Sequence, residues 1–222
     1  MDNQLWTDVD KYVVSLLVAS DSSLDEALVD SSAAGLPEIN VAPNLGKLLA
    51  LLAKGHGSKR ILEIGTLGGY STIWLARSLP GDGELISLEL DEKHAEVARK
   101  NIDRARPSGS VTVRVGPAAA TLRDLISEGV EPFDFIFIDA DKEGYSDYFT
   151  LCLQLARAGT MIVADNVVRE GEIQNAASTD PRVKGIQAFL EMVSAESRVD
   201  ATAVQTVGSK GYDGFALILV TS

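Results

Sequence analysis

Arg60-Ile61-Leu62-Glu63-Ile64-Gly65-Thr66-Leu67-Gly68-Gly69-Tyr70-Ser71 is a short apolar run that breaks into glycines and then resumes with helical spacing. A buried strand that feeds a glycine turn at a helix start is the frame a nucleotide-type ligand needs. Glycines accept positive φ and let a ligand come close to the backbone. The spacing is Gly-x-x-Gly-Gly, not the Gly-x-Gly-x-x-Gly of dinucleotide binders. Taken alone, the turn can also be a plain strand-to-helix connection. Two acids add weight to the ligand reading. Glu63 ends a buried strand, where a carboxylate is costly without a partner, and a sulfonium ligand with an ammonium tail supplies one. Glu89 ends the next strand, 24 residues after Gly65, where it can accept from both hydroxyls of a ribose.

Outward from this turn the chain alternates. Strands are predicted at Arg60–Ile64, Glu84–Leu88, Val111–Val115, Phe133–Ile138 and Thr160–Ala164, separated by helices at Tyr70–Leu79, Glu92–Arg104, Ala118–Ser127 and Gly144–Ala156. A helix over Pro181–Ser194 follows, and Ala203–Val207 and Phe215–Val220 close the chain as strands. Alternation of this kind implies parallel crossovers with helices on both faces of one sheet. Gly208–Gly214 is too short for a crossover helix, so the last strand should run antiparallel. The expected fold is α/β: a Rossmann-like, seven-stranded, mostly parallel sheet with an N-terminal helical extension, forming one domain over residues 1–222. Within it, residues 1–43 supply N-terminal helices, with a cap at Asp21, and an irregular lid from Leu36 to Pro43.

The composition narrows the function. A formal net charge of -12 opposes binding to a phosphate backbone, so nucleic acid is not an expected partner. No apolar run reaches the ~20 residues needed to span a bilayer, and Met1-Asp2-Asn3-Gln4 does not begin like a signal peptide, so the expected location is the cytoplasm with no membrane partner. The single Cys152, in an apolar segment, reads as a buried inert thiol. His56 and His94 show no partner pattern and read as surface residues.

The chemistry is expected where two strands emerge. Phe135-Ile136-Phe137-Ile138-Asp139-Ala140-Asp141-Lys142 and Ile162-Val163-Ala164-Asp165-Asn166 each end a buried strand in acids. If the strands are neighbours, Asp139, Asp165 and Asn166 converge. Two carboxylates and an amide oxygen make a hard, all-oxygen site suited to Mg²⁺ or Mn²⁺, with Ca²⁺ as a further option, and unsuited to zinc. Lys142 lies within reach of the same spot. A nearby cation and sulfonium favour its neutral amine, which makes it the candidate general base. Each acid alone could equally cap a helix or a turn. Asp141 is read as a cap or as a group that supports the site from behind.

These residues resemble a known family: the metal-dependent, S-adenosylmethionine-dependent O-methyltransferases of the catechol and caffeoyl-CoA type, most closely the small bacterial members. The resemblance runs from about Leu36 to the C-terminus. It rests on Leu62-Glu63-Ile64-Gly65 with Gly69-Tyr70-Ser71, on Phe133-Asp134 through Lys142, on Asp165-Asn166 and on Gly211-Tyr212-Asp213-Gly214. It implies that Asp139, Asp165 and Asn166 ligate the metal, with Asp139 also counted among the catalytic and cofactor-binding residues. Lys142 takes the hydroxyl proton. Glu89 holds the ribose. Glu63, Gly65, Gly69, Ser71 and the backbone near Val41 hold the methionine part, and Gly116 and Ala118 border the adenine. Lys142, Asn166 and Tyr145 face the acceptor, with Tyr145 lining the cavity. The implied acceptor is a small ortho-dihydroxy aromatic; a non-catechol small molecule is the alternative. The implied assembly is a homodimer, with Trp6 and the first helix as a packing surface. The lid, with Ala42-Pro43, departs from the family pattern, and the loop Val167–Thr179 over the acceptor offers no residue to assign. A hydride-transfer enzyme, a nucleic-acid methyltransferase and a non-catalytic adenosyl binder each lack supporting motifs.

Overall fold

The computed structural model describes residues 3–222; Met1 and Asp2, the start of the segment read for a leader, lie outside the described residues. Seven strands form one sheet: β1 (Arg60–Ile64), β2 (Glu84–Glu89), β3 (Ser110–Val115), β4 (Phe135–Ile138), β5 (Met161–Asp165), β6 (Val199–Gly208) and β7 (Gly211–Val220). The helices are α1 (Asn3–Leu17), α2 (Ser22–Ala33), α3 (Pro43–His56), α4 (Tyr70–Ser78), α5 (Glu92–Ala105), α6 (Ala118–Glu128), α7 (Tyr145–Cys152) and α8 (Pro181–Ala195). The order across the sheet is β3-β2-β1-β4-β5-β7-β6. Every pairing is parallel except those of β7 with β5 and β6. The chain therefore leaves β1 toward one edge and returns to its other side at β4. Ligands of open α/β sheets sit beyond the carboxyl ends of the strands at such a reversal.

Side-chain alternation builds two cores, one on each face. Leu62 and Ile64 of β1 join Ile136 and Ile138 of β4 under Phe149 and Phe189. Ile61 joins Phe135 and Phe137 on the opposite face, under Leu49 and Ile73. A strand buried on both faces reads as a continuous apolar run, which is why β1 and β4 stand out in the sequence.

The closing hairpin departs from expectation. Its pairing continues to Gly208 opposite Gly211, so only Ser209 and Lys210 form the turn, and Gly211 takes φ 97°. Residues 208–214 are therefore largely strand, because a two-residue turn flanked by glycine absorbs the reversal. The expected helix over Gly144–Ala156 is shorter: a 3-10 turn at Lys142–Gly144 precedes α7. The Asp141 carboxylate caps that turn, accepting from Gly144 N at 3.1 Å. Side-chain caps also set the starts of α2 and α8. Asp21 accepts from Leu24 N, and Asp180 precedes Pro181 at the start of α8.

Candidate active site

The glycine turn brings three strand ends close together. Gly65, at φ 103°, donates its N–H to Leu88 O at 2.9 Å. A Cβ on Gly65 would lie 2.0 Å from the carbonyl oxygen of Asp139, so β1 and β4 can end this close only without a side chain there. Gly69, at φ 84°, is the N-cap of α4 and lies against Ala98. Leu67 N donates to Glu89 Oε2 at 2.7 Å, and Asp91 N donates to Oε1 at 3.0 Å. His94 Nδ1 stands 3.5 Å from the same Oε1. Glu89 is thus pinned by backbone donors at the cavity wall.

Glu63 stands behind that wall. It is fully buried, and its carboxylate accepts from the hydroxyls of Ser71 (2.6 Å), Thr72 (2.5 Å) and Ser87 (2.6 Å). Burial pushes its pKa up to about 7, against the pull of these three donors. The three hydroxyls satisfy the buried acid, and of this cluster Ser71 lines the cavity.

The ends of β4 and β5 hold the chemistry. Asp139 N donates to Ile64 O at 2.9 Å, which aligns the start of this segment with the glycine turn. Lys142 is buried, and its Nζ donates to Asp139 Oδ1 at 3.1 Å and to the Tyr145 hydroxyl at 2.7 Å. Burial raises the Asp165 pKa to about 7, and the nearby Asp139 charge adds to the rise. Asn166, at φ 58°, donates its N–H to Asp165 Oδ1 at 2.8 Å. Among the described residues no group of three or more His, Cys, Asp or Glu side chains gathers around one point. The candidate donors here are two carboxylates and an amide.

A cavity of about 760 Å³ joins these parts, within the usual size for a small-molecule site. Val41, Gly65, Ser71, Glu89, Ala118, Asp139, Lys142 and Asn166 line it, as do Ile39 and Asn40 of the lid. Gly69, Gly116 and Asp165 are not among the lining residues. The expectation for Tyr145 is corrected. It is wholly buried, with its ring set edge-on to Phe189 at 5.5 Å, and the cavity wall is formed by Tyr148 instead. The rotation of α7, set by the core, decides which tyrosine faces the ligand. His94 also departs from the surface reading, since it borders the cavity beside Glu89. Arg169, Arg182, Leu90 and Pro117 were missed because nothing in local spacing marks them. Cys152 is buried and its thiol is pushed well above its usual range, as an inert core residue should be.

A Rossmann-like sheet with a pinned strand-end acid, a glycine turn and a cavity that runs on to a second pair of strand ends defines the class of S-adenosylmethionine-dependent methyltransferases. A family model described as O-methyltransferase matches residues 18–219. The chain belongs to that O-methyltransferase family. It is 52% identical over 220 residues to catechol O-methyltransferase of Niastella koreensis, covering 99% of this chain and 100% of the relative. The solved O-methyltransferase from Bacillus cereus in complex with SAH is 54% identical with a TM-score of 0.97, covering 99% and 100% of the two chains. The O-methyltransferase TomG from Streptomyces achromogenes, involved in tomaymycin synthesis and solved in complex with SAM, is 44% identical with a TM-score of 0.96, covering all of both chains. Both of these solved relatives hold an S-adenosyl ligand.

Proposed function

We propose that the chain methylates one hydroxyl of a small ortho-dihydroxy aromatic, with a divalent cation, Mg²⁺ first, held by Asp139, Asp165 and Asn166. One observation supports this reading: Lys142 Nζ donates to Asp139 Oδ1 at 3.1 Å and to the Tyr145 hydroxyl at 2.7 Å, and that hydroxyl donates to the carbonyl oxygen of Asp165 at 2.9 Å, which ties the ends of β4 and β5 together. Burial and the Asp139 charge push the Asp165 pKa up, and the Lys142 ammonium opposes that rise. A hard dication on an oxygen-only donor set relieves such crowding, so the residues present fit the ion. When bound, the ion lowers the pKa of an acceptor hydroxyl and fixes its direction.

The chain's own residues do the rest. Glu89 anchors the nucleoside, and Ser71 and the Val41 backbone hold the amino-acid end. Lys142 Nζ, steered by Asp139 and Tyr145, first gives up a proton to solvent and then receives the hydroxyl proton as a neutral amine. The acceptor oxygen then bonds to the methyl carbon while the carbon–sulfur bond breaks, and its electron pair leaves with the thioether. Holding both partners in line supplies most of the rate. Methyl transfer from labelled donor to catechol should stop with a chelator and return with Mg²⁺; transfer that ignores the chelator would remove the ion from the reading.

A homodimer is part of the same proposal. Val9, Tyr12 and Leu16 lie exposed along one side of α1, an apolar stripe at helical spacing. Sedimentation should give twice the chain mass at micromolar concentration, and a monomer there would refute it. Among the described residues no helix is long and apolar enough to cross a membrane.

A further inference from the structure

Arg169 and Arg182 border the same cavity as Lys142 and Asn166, and the reaction proposed above uses neither. After β5 the backbone takes three left-handed non-glycine residues in close succession: Asn166 at φ 58°, Arg169 at φ 53° and Glu170 at φ 56°. Each is unfavourable and persists only where its surroundings enforce it. Asp213 enforces this run, its Oδ1 accepting from Val168 N at 2.9 Å and Arg169 N at 3.0 Å. Arg169 is thereby turned toward the cavity. Its Nη1 meets Asp213 Oδ2 only at 3.4 Å, and its Nε is buried with no acceptor among the described residues. The guanidinium is held only loosely by Asp213, so its charge is open to an anion in the cavity that it lines.

Arg182 reaches the same rim from the first turn of α8. One turn on, a Cβ at Gly185 would lie 2.3 Å from Lys142 O, so the helix lies directly on the Lys142–Glu143 backbone. Arg182 already grips a carboxylate in a fork, with Nε 3.1 Å and Nη2 2.8 Å from the two Asp180 oxygens. That pair is exposed, and the guanidinium has a further Nη free of it, so its cation can serve a second carboxylate. Arg169 and Arg182 both line this cavity, which puts the two guanidiniums on one wall. Of the acids on this rim, Asp141 is engaged by Gly144 N and the Tyr148 hydroxyl, while Glu143 is exposed and faces Arg182.

We propose that Arg169 and Arg182 form an anion subsite that selects acceptors bearing a carboxylate on the side remote from the reacting hydroxyl. The proposal rests on the acceptor reading above and specifies its substrate class. A planar carboxylate suits two guanidinium forks better than a neutral substituent does.

The test compares an ortho-diphenol carrying a ring carboxylate para to one hydroxyl with its neutral carboxamide, both with Mg²⁺. The carboxylate should have a kcat/KM higher by about tenfold or more, as charge-assisted hydrogen bonds predict. Arg182→Gln, at an exposed position, should shrink that advantage severalfold, and Arg169→Gln should do the same. No preference in the parent protein, or a preference untouched by Arg182→Gln, would overturn the subsite. If neither compound is methylated, the acceptor reading fails, and the subsite is then judged by calorimetric titration of both compounds onto the protein loaded with SAH. Tighter binding of the carboxylate, weakened by Arg182→Gln, supports it; equal or absent binding overturns it.

Discussion

The Nζ of Lys142 lies 2.7 Å from the Tyr145 hydroxyl, and that hydroxyl donates to the backbone carbonyl of Asp165 at 2.9 Å. The proposed base is therefore tied to the strand that carries a proposed metal ligand, through a tyrosine that never reaches the cavity.

Tyr145→Phe keeps the ring against Phe189 and removes only this link. Turnover should fall by about tenfold, the worth of one hydrogen bond to a charged group. The donor's Kd should hold within about twofold. A kcat drop with an altered pH profile identifies a positioning role, whereas a matching loss of donor affinity would point to general disruption.

Mg²⁺ should raise the thermal midpoint of the parent protein, since an ion that binds only the folded state stabilises it. Asp165→Ala should lose that response and most of the turnover. A midpoint that rises equally in both proteins would place the ion elsewhere.

Glu63 gives a signed pH prediction. Its folded pKa, pushed up to about 7, lies above the ordinary carboxylate value. Below the ordinary value both folded and unfolded states hold the proton. As pH rises toward 7 only the folded state holds it, so stability should fall by roughly 3 kcal/mol and then level off. Glu63→Gln has no such proton, so parent and variant midpoints should diverge differently at about pH 5 and pH 8. Parallel midpoints would mean that the Ser71, Thr72 and Ser87 hydroxyls hold the acid at its ordinary value.

Gly65→Ala combines a positive φ with a clash against Asp139 O. It should destabilise the fold by about 2–4 kcal/mol, as strained backbone and overpacking together do. It should also abolish donor binding in calorimetry, because the strand ends must part. Donor binding unchanged from the parent would show that the close approach of β1 and β4 is dispensable.

The sequence by itself determined which segments form the sheet and which strand ends carry the glycine turn and the paired acids. A strand buried on both faces must be apolar throughout, and a turn at positive φ favours glycine, so β1, β4 and the Gly65–Gly69 turn carry their structure in local composition. Asp139, Lys142 and Asp165-Asn166 were legible for the same reason, since each follows directly on a recognisable strand. Only the tertiary structure decided that β7 inserts between β5 and β6, that Tyr148 and not Tyr145 meets the cavity, that hydroxyls from α4 and β2 satisfy Glu63, and that Arg169 and Arg182 share a rim. Those outcomes depend on how helices rotate and dock on the sheet. That is fixed by packing between residues far apart in the chain, and no local pattern records it.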